Sequence, residues 1–136
     1  MKTVIAGVLM TGLSCCAQQA GTGFATSGGV RVNPVTDTVF EVIPRIGEEP
    51  SGLWRGAGEF ARRELGAADT AQVYVVGGAG PGVTSGSRSA AQFSLLPPGE
   101  ARGATGRNSR WGPQPGARAT VLQARLRCKR RHNSRD

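Results

Sequence analysis

The stretch SGLWRGAGEFARRELG, Ser51 to Gly66, decides how the rest of the chain is read. Leu53, Ala57, Phe60, Ala61 and Leu65 recur at the three- and four-residue spacing of one helix face, while Glu59, Arg62 and Arg63 fall largely away from it. Ser51 is a candidate N-cap and Gly66 a candidate C-terminal glycine. Gly56 and Gly58 oppose the assignment, because a glycine inside a helix costs up to about 1 kcal/mol relative to alanine. A helix here therefore has to be held by packing, and Trp54 reads as part of what it packs.

Strands flank this helix. VTDTVFEVI, Val35 to Ile43, is rich in β-branched residues and stops at Pro44, which predicts a strand with Phe40 and Val42 on one face and Val39, Glu41 and Ile43 on the other. Glu41 makes the second face wet at its centre in this reading. After the helix, Gln72 to Val76 sets Val73 and Val75 opposite Tyr74 and Val76. Ala90 to Leu96 sets Ala91, Phe93 and Leu95 opposite Gln92 and Ser94, and Pro97-Pro98 ends it. The order β-α-β-β predicts an α+β fold, a small two-layer unit over residues 35–98. A right-handed crossover makes its first two strands parallel if they are neighbours.

At 136 residues the chain suffices for one domain, and aromatic residues are few. The formal net charge of +8 suggests a binder of nucleic acid or an anionic surface. Its distribution corrects that impression: residues 1–100 hold seven basic and eight acidic residues, whereas residues 101–136 hold ten basic residues and only Asp136 as an acid. The basicity belongs to the C-terminal segment, which with its Arg, Ala, Gly and Pro content reads as a disordered tail over 99–136.

The N-terminus, MKTVIAGVLMTGLSCCAQQA, has the three parts of a secretory signal: Lys2, an apolar run from Thr3 to about Leu13, and small residues where a peptidase cuts. A run of about 11 residues is too short to cross a bilayer as a helix, which takes about 20. The sequence Leu13-Ser14-Cys15-Cys16 resembles a bacterial lipoprotein signal, with Cys16 the acylated residue. The register one residue earlier acylates Cys15. Ordinary cleavage near Ala17 and no processing remain the alternatives. Residues 17–34, polar and rich in Gly, Ser and Thr, read as a flexible linker. The chain is thus expected to be exported, either anchored to the cell membrane through lipid or periplasmic. A nucleic-acid partner is disfavoured there, and no other partner is indicated.

Chemistry-bearing residues are sparse. Beyond Cys15 and Cys16 the chain holds only Cys128, so no disulfide framework is available, and one Cys with one His (His132) does not make a zinc site. With no histidine in the predicted domain, a Ser/His/Asp set has no candidate, and Glu59 and Glu64 point in different directions. No catalytic residue, cofactor or metal is expected, and the chain reads as a non-enzyme. Gly77 to Ser89, GGAGPGVTSGSRS, superficially suggests a phosphate-cradling loop, yet no Gly-Lys-Ser/Thr follows and Pro81 removes an N–H. It reads as a mobile hairpin loop, in which Arg88 with Ser85, Ser87 and Ser89 can touch an anion or simply form a solvated rim.

FEVI, LWRGAGEFARRELGA, VYVVGGAGPGVTSG and RSAAQFSL, spread over residues 36–98, resemble small exported proteins of unknown function in alphaproteobacteria. The resemblance implies a fold and an exported location and brings no activity. It also implies a cysteine at the place of Arg55, paired with a second one further along; this chain has arginine there.

Four readings compete for the tail. Arg125, Arg127, Lys129, Arg130 and Arg131, with Trp111 assisting, are candidates to bind nucleic acid or anionic lipid head groups. Thr120 to Arg131 can also form a short basic amphipathic helix on a membrane surface. Alternatively the segment is solvated and without a role, or comes from a shifted frame in a GC-rich gene, since codons for Arg, Gly, Ala and Pro are GC-rich. The functional expectation is a small exported, lipid-anchored, non-catalytic binding or structural protein; the alternative is an anionic-partner binder acting through the basic tail.

Overall fold

The computed structural model describes residues 24–26, 29–48 and 50–127. Its elements, in order, are β1 (Phe24–Ala25), β2 (Arg31–Pro34), β3 (Val39–Ile43), α1 (Pro50–Arg63), β4 (Gln72–Gly80), β5 (Ala90–Ser94), a 3-10 turn (Pro98–Glu100), β6 (Arg118–Thr120) and α2 (Val121–Arg125). The strands form one six-stranded sheet in the order β1-β2-β3-β5-β4-β6, every neighbouring pair antiparallel. This is an α+β fold. The strands on either side of α1 run parallel to each other but are not neighbours, because β5 inserts between them and pairs antiparallel with both.

Alternation along the strands decides which side the helices cover. Phe40 and Val42 of β3, Val73 and Val75 of β4, and Ala91 and Phe93 of β5 face Leu53, Trp54, Ala57, Phe60 and Ala61 of α1. The few aromatic residues are concentrated here: the Phe40 and Phe60 centroids are 4.7 Å apart, and Trp54 meets Phe93 edge-on at 5.2 Å. The two glycines that argue against a helix prove to be contact points. A Cβ on Gly56 would stand 3.0 Å from Val30 Cγ1 and 3.1 Å from Val42 Cγ1. Bare backbone at this position lets α1 settle onto the sheet.

Several details differ from the sequence reading. The strand expected from Val35 starts at Val39, after a turn in which the Val35 and Thr36 N–H groups both donate to the Val39 carbonyl, and the strand expected to run to Leu96 ends at Ser94. The helix begins at Pro50, so Ser51 lies inside its first turn, as suits a proline at a helix start. It ends at Arg63, leaving Leu65 46% exposed rather than in the core; Gly66 (φ +69°) makes the turn, and the Ala67 N–H donates to the Ala61 carbonyl at 2.9 Å. The expected linker over 17–34 contains β1 and β2, because Val30 and Val32 alternate with Arg31 and Asn33 and are buried under α1. The expected tail from residue 99 belongs to the fold as far as Arg127: β6 extends the sheet beside β4, and α2 follows it directly onto α1.

That C-terminal addition is specified locally. Thr120 and Gln123 form a reciprocal capping box, the Thr120 hydroxyl accepting from the Gln123 N–H at 3.0 Å and the Gln123 side chain accepting from the Thr120 N–H at 2.9 Å. Ala119, Val121 and Ala124 enter the same core as α1. Asp69 ties the helices together, with Oδ1 at 2.8 Å from Arg62 Nη1 and 3.2 Å from Arg125 Nη1.

The sheet's other face is where the expectation of water fails. Glu41 is 1% exposed, with Gln92 beside it on β5 at 2%. Neither α1 nor α2 covers them. Irregular segments do, and their backbone N–H groups, which lack ladder partners, are met by these side chains. Gln92 Oε1 accepts from the Thr105 N–H at 2.8 Å, and Ser94 Oγ accepts from the Leu96 N–H at 2.9 Å.

Candidate functional site

Glu41 fixes the position of the loop after β4. Its Oε1 accepts from the Val83 N–H at 2.8 Å, both carboxylate oxygens accept from the Thr84 N–H at 3.3 Å, and Oε2 accepts from the Thr84 hydroxyl at 2.9 Å. Close approach requires Gly82, where a Cβ would lie 2.6 Å from Oε2. Gly77, Gly78 and Gly80, which gave the loop its phosphate-binding look, lie in β4 itself, and the Gly78 N–H is spent on the Arg107 carbonyl at 2.6 Å. The segment read as a mobile hairpin loop is thus tied down at its near end to a buried carboxylate.

Beyond Thr84 the loop turns twice on serine. Ser85 Oγ accepts from the Ser87 N–H at 3.2 Å, and Ser87 Oγ accepts from the Ser89 N–H at 3.1 Å. Both hydroxyls act as acceptors toward the backbone, and each keeps an O–H to donate. They line an open cleft of about 560 Å³, together with Ser89, Arg88, the turn after β3 that carries Arg45 and Ile46, and Trp111. Ile46 is wholly exposed and Trp111 is 40% exposed, so the cleft presents two large apolar side chains beside two guanidinium groups. Trp111 is held by its own turn, its N–H donating to Ser109 Oγ at 3.1 Å and its carbonyl accepting from the same hydroxyl at 2.9 Å.

Among the described residues that line the cleft, Glu48 is the one acid. Its side chain is only 8% exposed and lies over the start of α1, where a Cβ on Gly52 would strike the carboxylate. Glu48 is 3.5 Å from Arg45 Nε and 4.0 Å from Arg55 Nη2. Arg45 is therefore partly neutralised. Arg88 is exposed and makes no ion pair with a described residue.

The sequence singled out Arg88, Ser85, Ser87 and Ser89, and the structure brings them together. It did not connect them to Arg45 or Ile46, which lie some forty residues away in a turn of ordinary composition. Trp111 was attached to the basic tail and instead lines this cleft. Of the anion-binding candidates in the tail, Arg125 is paired with Asp69, and Arg127 lies with its guanidinium 4.4 Å from the centroid of the Trp54 ring. The Arg127 carbonyl also accepts from Arg55 Nη1 at 3.0 Å, so the position that the resemblance gives to a cysteine holds the end of α2. Lys129, Arg130 and Arg131, like Cys15 and Cys16, lie outside the described residues. Among the described residues no three acidic, His or Cys groups cluster to hold a metal, and no helix is long and apolar enough to cross a membrane.

No protein-family model matches the chain, and comparison with curated proteins and with solved structures returns no significant match.

Proposed function

We propose that this chain is an exported, lipid-anchored protein that binds a small ligand and carries out no chemistry on it. The observation that carries the binding half is the cleft, in which two arginines, serine hydroxyls and an exposed tryptophan from three separate segments converge. Ligand sites combine an apolar wall with a few placed polar groups in this way. The anchoring half draws on the Lys2, apolar run and Leu13-Ser14-Cys15-Cys16 order of the N-terminus. The intact mass of the protein recovered from the membrane fraction of its host tests it. A start at acylated Cys16 or Cys15 is expected. Cleavage near Ala17, or an unprocessed Met1, removes the anchor.

The alternative, an anionic partner held by the C-terminal segment, draws on the lack of any acid between Ala101 and Arg135. With Arg125 and Arg127 engaged within the fold, it rests on Lys129, Arg130 and Arg131. Under this alternative the full chain binds anionic vesicles in a strongly salt-dependent way, and replacing those three by glutamine abolishes the salt dependence.

A further inference from the structure

From the cleft we infer the class of its ligand: an amphiphile with one anionic head group, phosphate or carboxylate, on an aromatic or apolar body. The inference rests on the reading of this chain as a binding protein. The head lies against Arg88 and Arg45 and takes hydrogen bonds from the O–H groups of Ser85 and Ser87; the body lies on Trp111 and Ile46.

Charge and hydroxyl donors select the head. Arginine is a planar donor suited to phosphate and carboxylate, and the serine O–H groups add donors without adding charge. With Glu48 drawing on Arg45, the described lining is left with Arg88 as its one unpaired cation, which suits a single anionic group. The apolar residues select the body. A site for free inorganic anion has no use for an exposed tryptophan and an isoleucine whose side chain lies wholly in solvent. A nucleic-acid groove is disfavoured because the cleft, about 560 Å³, has the volume of a small-ligand site and a single tryptophan to stack a base on.

Glu41 holds Val83 and Thr84, the residues that lead into Ser85 and Arg88.

The test is NMR titration of the full chain from its host, in nonionic micelles, with four water-soluble probes: phenyl phosphate, inorganic phosphate, phenyl glucoside and benzylamine. Phenyl phosphate is expected to shift the amides of Arg45, Ser85, Ser87 and Arg88 and the Trp111 indole, binding at least tenfold more tightly than inorganic phosphate. Arg88→Gln, an exposed change that leaves the core untouched, is expected to weaken both phosphate probes about tenfold. Trp111→Ala is expected to bring phenyl phosphate down to the level of inorganic phosphate. Equal binding of the two phosphates by the unaltered chain overturns the amphiphile. Preference for phenyl glucoside or benzylamine overturns the anionic class while leaving a binding protein. Shifts confined to residues 118–136, or none with any probe, overturn the ligand class and the binding reading together.

Discussion

Gly58 of α1 and Ala124 of α2 meet backbone to side chain: a Cβ on Gly58 would stand 2.9 Å from the Ala124 Cβ and 2.8 Å from the Arg125 nitrogen. Two helices remote in sequence approach this closely because one of them lacks a side chain there. Gly58→Ala gains up to about 1 kcal/mol of helix propensity but forces α2 outward, and overpacking of this kind costs typically about 1–3 kcal/mol. The variant is expected to be less stable in urea than the parent. Gly86→Ala, at a position with nothing within 4 Å, is expected to leave the midpoint unchanged.

Ending the chain after Ala117 removes Ala119, Val121 and Ala124 from the core and uncovers Val73 on the edge of β4. Burying one valine contributes about 1.5–3 kcal/mol, so the truncated chain is expected to lose about 3 kcal/mol or more of a total near 5–15. Thermal and urea unfolding measure it. Equal stability of the truncated chain would support a segment foreign to the domain, as a shifted reading frame requires.

The Glu41 carboxylate serves three donors in the loop, and removing it deprives the Val83 and Thr84 N–H groups of their acceptor. Glu41→Ala is expected to cost about 1–3 kcal/mol for the donors left unsatisfied. Hydrogen exchange at Val83 and Thr84 is expected to accelerate well before global unfolding. Thr84→Val, which keeps the N–H and loses only the hydroxyl, is expected to cost about 1 kcal/mol.

Arg127 and Arg125 hold α2 in different ways. The Arg125–Asp69 pair is about one-third exposed on both sides, and Arg125→Ala is expected to cost under about 1 kcal/mol. Trp54, 5% exposed, packs Phe93 on one side and carries the Arg127 guanidinium on another. Trp54→Ala is expected to cost about 3–5 kcal/mol, the ordinary range for a large aromatic in a core. Differential scanning calorimetry of the two variants separates them.

Much of the central architecture is written in local pattern. The period of Leu53, Ala57, Phe60 and Ala61 made the helix, and the alternation through Phe40–Val42, Val73–Val75 and Ala91–Phe93 chose the face that meets it, because a side chain's direction follows from its backbone period alone. The capping box Thr120–Gln123 is equally local, a helix-start pattern that the sequence reading passed over inside a segment whose composition suggests disorder. Tertiary structure decided the rest. Short strands such as β2 and β6, four and three residues long, carry too few alternations to stand out from a Gly- or Arg-rich background and exist only where a neighbouring edge pairs with them. No local pattern distinguishes a solvated Glu41 from a buried one. Its role depends on a loop forty residues later that needs an acceptor for its N–H groups, and the cleft beyond that loop exists because the two meet.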